Sequence, residues 1–131
     1  MEIAKERLLT AFEQCWTSET SSVPSEWSEE EASRGQCVPT ALVAQDYLGG
    51  DLQKLTTVFN CREESHYRNV FDDGTIFDAT RSQYPDGQEL AIAEVDLAGF
   101  DSIREKRLSE VDVRHRYETL LRRVEKLLRI Q

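Results

Sequence analysis

Cys37, His66 and Asp78 follow one another along the chain in the order nucleophile, base and carboxylate. A cysteine thiol can attack a carbonyl carbon when an imidazole accepts its proton and a carboxylate holds that imidazole in one tautomer. The three residues therefore predict a catalytic triad for thiol-dependent chemistry on an amide or a thioester. In this hypothesis Cys37 attacks the carbonyl, His66 shuttles the proton and Asp78 orients His66.

The position of Cys37 depends on the segment that follows it, which is apolar on nearly all sides and is typical of a central, buried helix. Pro39 favours the first turn of a helix and Gly49-Gly50 favours its end, so we predict a helix over about Val38–Leu48. The unpaired N–H groups at a helix N-terminus stabilise a thiolate and can also receive an oxyanion. Cys37 is thus expected at the N-terminal end of a buried helix.

The other two residues lie in a predicted antiparallel meander of three strands, over 52–59, 65–71 and 75–80. Side chains share a face of two paired strands only if the register has the right parity. A two-residue turn in the second hairpin would place His66 and Asp78 on opposite faces. A three-residue loop, Asp72-Asp73-Gly74, would place them on the same face, with Asp78 opposite Arg68 and with glycine in the left-handed position. The triad therefore requires the three-residue loop.

Two amphipathic helices are predicted to complete the domain, over Ala4–Trp16 and Val111–Ile130. A polar connection over 17–34 joins the first of them to the central helix, and we expect Trp27 to anchor it. The residues from Arg81 to Gly99 are predicted to form a long loop with at most one short element, and its part from Ser82 to Gly99 is expected to cover the site and set its specificity. The expected fold is α+β, a single domain over 1–131, with the central cysteine-bearing helix packed on a short antiparallel sheet of about three strands.

Composition excludes several classes of function. The chain has 131 residues, 25 acidic against 16 basic side chains and a net charge of −9. Such a charge disfavours binding to nucleic acid or to an anionic membrane surface, and no apolar run is long enough for a membrane span. The three cysteines have no metal-ligand spacing, so no metal or other cofactor is expected. The charged N-terminus does not resemble a signal peptide, and a cytoplasmic protein with free thiols is expected.

Several short strings carry a resemblance to known proteins. These are Arg34-Gly35-Gln36-Cys37, Thr40 to Gly50, Ser65-His66-Tyr67, Asp78-Ala79-Thr80-Arg81 and Arg116 to Leu121. Over most of its length the chain is similar to the small bacterial YunG-like family. The order of Cys37 on a helix, and of His66 and Asp78 on adjacent strands, also resembles the core of papain-like and transglutaminase-like cysteine enzymes. The resemblance implies the same fold and the same triad, and it does not name a substrate.

Four further residues are secondary site candidates. Arg68 stands where both related groups have an aromatic residue, which implies a more polar and positive substrate wall. Gln36 adjoins Cys37, but its side chain need not point into the site. For Asn69 we favour a structural hydrogen bond, since it should face away from His66. Arg81 could equally pair with an acidic loop residue or bind a substrate carboxylate.

Other polar and sulfur-containing residues are assigned to structural roles. Cys15 is expected in the core, whereas Cys61 is expected to be incidental. His115 and Arg116 are expected on the solvent face of the last helix. No glutamine lies several residues before Cys37, where papain-like enzymes have an oxyanion donor. The backbone N–H of Cys37 and one nearby donor are therefore the expected parts of any oxyanion site.

Two functions remain open at this point. The first is a thiol-dependent hydrolase or acyltransferase that acts on a small molecule or a peptide end. The second is a binding or regulatory module that keeps the cysteine-enzyme scaffold without turnover, because a fold and an assembled triad do not by themselves demonstrate a reaction. The sequence leaves the substrate, the choice between hydrolysis and transfer, and the oligomeric state undetermined.

Overall fold

The computed structural model describes residues 3–130, so that Met1, Glu2 and Gln131, at the ends of the predicted domain, lie outside the described residues. Within this range the fold is α+β, with four α-helices and one four-stranded antiparallel sheet, as the sequence predicts for the fold class. In chain order the elements are α1 (Lys5–Cys15), α2 (Cys37–Leu48), β1 (Asp51–Phe59), β2 (Arg62–Val70), β3 (Ile76–Phe77), β4 (Ala91–Ile92), α3 (Ile103–Leu108) and α4 (Val111–Ile130).

Helix α2 lies between the other long helices and the sheet, because it has apolar side chains on nearly every side. Its first eight residues, Cys37–Ala44, are all buried. One side of α2 joins a core cluster with the apolar faces of α1 and α4, which includes Phe12, Val43 and Leu120. Burial of such faces is the main force that holds helices of this kind in place. The start of α2, and Cys37 with it, is therefore fixed by the core.

The sheet has the strand order β3-β2-β1-β4 and thus one more strand than the sequence predicts. The additional strand, β4, pairs with β1 at Leu55 and Thr56, and the next residue, Ala93, donates its N–H to the Lys54 carbonyl. Only two residues of β4 take part, and so short a segment shows no alternation of apolar and polar side chains. The predicted loop over 82–99 is therefore partly sheet, on the side of β1 away from β2.

The hairpin between β2 and β3 has the predicted three-residue loop. Asn69 pairs with Phe77, the N–H of Phe71 donates to the Thr75 carbonyl at 2.9 Å, and Gly74 has a φ of +84°. All four strand ends differ from the prediction, and two of them do so by three residues. Strand β2 begins at Arg62, which places His66 in its middle, and β3 ends at Phe77, so that Asp78 follows the strand by one residue.

Helix α3 was not predicted from the sequence. It has only six residues, and the Ser102 side chain caps it by accepting a hydrogen bond from the Glu105 N–H at 3.1 Å. Serine followed three residues later by glutamate is a known helix-start pattern, so a signal was present. From α3, Arg104 donates to the Leu42 carbonyl and to Asp46, which fastens the C-terminal half to α2.

The connection from α1 to α2 is folded against the body despite its polar composition. It contains two short 3-10 turns, Ser18–Thr20 and Pro24–Glu26. The Trp27 indole N–H donates to the Ala32 carbonyl at 2.9 Å, within the connection itself, so its role as an anchor onto the body stays a prediction. Among the residues that the structure describes, no helix is long and apolar enough to cross a membrane.

Candidate active site

His66 and Asp78 are in direct contact, as the three-residue loop requires. Nε2 of His66 lies 2.9 Å from Oδ1 and 2.8 Å from Oδ2 of Asp78. The imidazole is fully buried, and the carboxylate is 11% exposed. A carboxylate can only accept hydrogen bonds, so Nε2 carries the hydrogen and Nδ1 is the ring nitrogen with a lone pair in the neutral imidazole. The pair thus selects the tautomer that a general base at Nδ1 needs.

The protonation of His66 is shifted strongly by its neighbours. Burial of the ring lowers its pKa, but the hydrogen bond to Asp78 and the adjacent Cys37 thiol outweigh burial and raise the pKa from 6.5 to about 9. Opposite charges close to a buried ionisable group favour its charged form. The raised pKa therefore favours a protonated His66 at neutral pH.

Cys37 is the first residue of α2 and is 8% exposed. It packs in a second core cluster against Val38, Tyr67 and Val113, and it also forms part of the wall of a cavity of about 300 Å³. The cavity is lined in addition by charged and polar residues, among them Arg34, Arg62, Glu64, Gln83 and Tyr84. The thiol thus lies between the core and a small polar cavity, close to the N–H groups of the first helical turn.

The chain reaches Cys37 through a tight approach at Gly35. Gly35 has a φ of +76°, and a Cβ built there would lie 2.3 Å from Oγ of Ser21 and 2.8 Å from Cγ2 of Val23. Ser21 donates to the Arg34 carbonyl at 2.8 Å, and the Ser22 N–H donates to the Gly35 carbonyl at 2.9 Å. The polar connection therefore holds the residues that precede the helix, and only glycine fits at this point.

A buried ion-pair network forms one wall of the cavity. The guanidinium of Arg34 donates to both carboxylate oxygens of Glu64, at 2.8 and 2.5 Å, and to Glu26 at 3.0 Å. The half-exposed Arg62 pairs with the same two glutamates. The hydrogen bonds from Arg34 lower the pKa of Glu64 and keep its carboxylate charged. The network links the residues before α2 to strand β2 beside His66.

Gln83 and Tyr84 complete the surroundings of His66, and neither is among the site residues predicted from the sequence. The Tyr84 ring meets His66 edge-on at 5.4 Å, and its hydroxyl donates to Glu64 at 3.0 Å. Burial and the Glu64 carboxylate raise the pKa of Tyr84, so its hydroxyl keeps its proton. The amide nitrogen of Gln83 lies 3.3 Å from Nδ1 of His66. These two residues are the part of the predicted covering loop that reaches the site.

The secondary candidates are distributed around the site and do not converge on it. Asn69 makes a structural hydrogen bond as favoured, since its amide donates to the Ala41 carbonyl at 2.9 Å. Arg68 donates to the side chain of Gln53 on β1 at 2.8 Å. Gln36 is fully buried and donates to the Thr17 carbonyl at 2.9 Å.

Arg81 and the residues assigned to structural roles lie outside the contacts of His66 described above. Arg81 donates to the backbone carbonyls of Tyr84 and Pro85, both at 3.2 Å, and so braces the turn that carries Gln83. Cys15 is buried as expected, whereas Cys61 is exposed in the turn between β1 and β2. Arg116, predicted on the solvent face, is half-buried: its Nε is buried, and burial lowers the pKa of its guanidinium. His115 is exposed, as predicted.

Across residues 3–130, no group of three or more histidine, cysteine or acidic side chains is arranged to hold a metal ion.

Comparison with known proteins gives one consistent result. A family model described as YunG protein matches residues 4–129 of the chain. The chain is also 32% identical, over 105 residues, to a protein of Bacillus subtilis (strain 168) that is named "Uncharacterized protein YunG". That alignment covers 72% of this chain and 83% of the relative. No solved structure matches the chain.

Proposed function

We propose that this chain, which belongs to the YunG family, is a thiol-dependent hydrolase or acyltransferase with Cys37, His66 and Asp78 as its catalytic residues. The observation that carries the proposal is the contact of the Asp78 carboxylate with Nε2 of a fully buried His66, beside a cysteine that begins a buried helix. A nucleophile, a base and a residue that orients the base are what covalent catalysis of acyl transfer requires. The order of the three residues along the chain also resembles that in papain-like and transglutaminase-like enzymes.

The reaction begins with transfer of the thiol proton of Cys37 to Nδ1 of His66. The sulfur then attacks the carbonyl carbon of an amide or a thioester, and the carbonyl oxygen gains negative charge. When the tetrahedral intermediate collapses, the bond to the leaving amine or thiol breaks, and that group takes the proton from His66. Water or an amine then attacks the acyl-cysteine, with His66 as its base, and the thiol of Cys37 is restored.

The size and lining of the cavity favour a small acyl group or the end of a peptide. A cavity of about 300 Å³ is at the lower end of the range for small-molecule sites. Its wall beside Cys37 carries the paired charges of Arg34 and Glu64, so a polar substrate suits it better than a long hydrocarbon chain.

Competition between the three thiols for iodoacetamide near pH 7 tests the proposal. Cys61 is the reference, because it is exposed in a turn, whereas Cys37 is almost buried. If exposure alone decides the rate, Cys61 reacts first. The thiolate is the reacting form, and in the proposed function His66 accepts the proton of Cys37. We therefore expect Cys37 to react at least about 10-fold faster than Cys61. His66→Ala should remove this advantage and leave the rate at Cys61 unchanged.

The same measurement separates the enzyme from a non-catalytic module. Slow labelling of Cys37 at a rate that His66→Ala does not alter would overturn the proposal and favour a binding role. If Cys37 is activated, the protein is next incubated with a phenyl thioester, and acyl-Cys37 is detected by mass spectrometry. Release of thiophenol beyond one equivalent per protein would demonstrate turnover.

A further inference from the structure

Gln83 has an amide whose orientation is determined by its neighbours. Its Oε1 accepts hydrogen bonds from the Gly35 N–H at 3.2 Å and from Nη1 of Arg34 at 3.3 Å. Both neighbours are donors only, so a reversed amide would place its NH₂ group against two donors. The side chain is also 91% buried, so water does not substitute readily for these partners. The oxygen of Gln83 is therefore anchored beside the residues that lead into Cys37.

The anchored oxygen leaves the amide nitrogen directed towards His66. Nε2 of Gln83 lies 3.3 Å from Nδ1 of His66 and 3.4 Å from Oγ1 of Thr80. An amide N–H can donate to Nδ1 only while that nitrogen carries a lone pair, which is the lone pair that must accept the thiol proton of Cys37. While His66 is neutral, Gln83 thus competes with Cys37 for the base.

We propose that Gln83 is a catalytic hydrogen-bond donor, which moves from Nδ1 of His66 to the carbonyl oxygen of the substrate and forms the oxyanion site together with the Cys37 N–H. The inference rests on the function proposed above. Gln83 and Cys37 line the same cavity, so both donors border the space that a bound carbonyl group would occupy. Thr80 accepts the second amide hydrogen and keeps Nε2 in place during the exchange.

The exchange links two steps of the reaction. Once His66 carries the thiol proton, Nδ1 has no lone pair and no longer accepts from Gln83. When the sulfur then attacks, the carbonyl oxygen becomes an oxyanion and is a better acceptor than the neutral imidazole was. The N–H group that His66 has released is therefore available when the new negative charge forms.

Two reactions of the same thiol distinguish this role from a structural one. Alkylation by iodoacetamide is a displacement at a saturated carbon and forms no oxyanion. Acylation by a phenyl thioester forms one: the bond from sulfur to the acyl carbon forms, the bond to thiophenolate breaks, and thiophenolate takes the proton from His66. The ratio of the two rate constants at Cys37 therefore measures stabilisation of the oxyanion.

The variants are Gln83→Glu, which keeps an oxygen for Arg34 and the Gly35 N–H but has no N–H donor, and Gln83→Met, which has neither. Gln88→Met is the matched control, because Gln88 bonds to Thr57 and Val58 away from the site. In both Gln83 variants we expect alkylation of Cys37 at the wild-type rate or faster. We expect acylation to fall at least about 10-fold, since loss of one oxyanion donor typically costs about 10²–10³ in rate.

The outcomes separate this inference from the proposed function. If wild-type Cys37 is neither activated nor acylated, the proposed function fails and the inference fails with it. If wild-type Cys37 is acylated and both rate constants fall by the same factor in Gln83→Glu, Gln83 has a structural role only and the inference is wrong. An unchanged ratio in both variants overturns it as well. If Gln83→Met does not fold, the ratio for Gln83→Glu decides.

Discussion

Both carboxylate oxygens of Asp78 lie at nearly the same distance, 2.9 and 2.8 Å, from a single nitrogen of His66. The carboxylate retains slight contact with solvent, whereas the imidazole has none. A negative charge beside a buried imidazole stabilises a proton on the ring. We therefore expect the contact between these two residues to control both the reactivity of Cys37 and the response of the fold to pH.

Replacement of the charge on Asp78 tests the first of these effects. Asp78→Asn keeps the size of the side chain but removes the charge that favours a protonated His66, and its NH₂ group can select the wrong tautomer. We expect alkylation of Cys37 at pH 7 to slow by about 10- to 100-fold, within the range of about 1.5–3 kcal/mol for a hydrogen bond to a charged group. Asp72→Asn, in the exposed loop between β2 and β3, is the control. Equal rates for the two variants would contradict the role of Asp78.

The pH dependence of stability tests the second effect. The pKa of His66 is raised to about 9 in the folded protein, against 6.5 for an unperturbed histidine. A raised pKa contributes stability that is fully present below about pH 6.5 and is lost as the pH rises through about 9. The groups that face the ring are Asp78, Cys37, Gln83 and Tyr84. Urea unfolding at pH 6 and at pH 9.5 should show a loss of the order of 3 kcal/mol that His66→Asn largely removes. The exposed His115→Asn should retain the wild-type slope.

The buried ion-pair network should respond unequally to loss of its two arginines. Arg34 has a side chain that is 5% exposed, and its loss leaves Glu26 and Glu64 close together with only Arg62 to pair with them. We expect Arg34→Met to lower the free energy of unfolding by about 3–5 kcal/mol. Arg62→Met, at a side chain that is 51% exposed, should cost less than about 1 kcal/mol. Chemical denaturation of the two variants measures the difference, and similar losses would refute it.

Gly35 lies close to Ser21 and Val23, and substitutions of glycine test how much this close packing matters. Gly35→Ala combines a left-handed backbone with a Cβ that overlaps Ser21 and Val23, so we expect a loss of about 3 kcal/mol or more. Gly87→Ala is matched in backbone, with a φ of +82°, but has no heavy atom within 4 Å of the added Cβ. It should cost only about 1–2 kcal/mol. Thermal melts of both variants test whether the overlap or the backbone angle determines the cost.

The positions of the three catalytic candidates could be predicted because each depends on local rules. Pro39 and the glycines after Leu48 bound the helix that begins at Cys37. The requirement that His66 and Asp78 share a face selects the three-residue loop over the two-residue turn, and Gly74 supplies its left-handed position. Signals of this kind act over a few residues and do not require knowledge of the packed structure.

The rest of the site could not be predicted because it depends on contacts between distant parts of the chain. Gln83 meets His66 across 17 residues and Arg34 across 49, and Arg34 meets Glu64 across 30. No spacing rule relates such positions, and a buried glutamine or arginine resembles a surface residue in the sequence. Arg116 illustrates the same limit, since its place on the helix suggested exposure. Strand β4 was missed because two residues of backbone pairing have no characteristic pattern.

The pairing of β2 with β3 also provides a criterion for comparing this chain with its relatives. The two side chains, of His66 and Asp78, share a face as long as the residues that pair across β2 and β3 keep their register, whatever the number of residues in the loop. A residue gained or lost within β3, between the loop and Asp78, turns the carboxylate to the other face and out of reach of the histidine. In an alignment of such proteins, the spacing from the first paired residue after the loop to the aspartate is therefore more informative than the identity of the loop residues. In this chain the register is fixed by the pairing of Asn69 with Phe77, directly before Asp78.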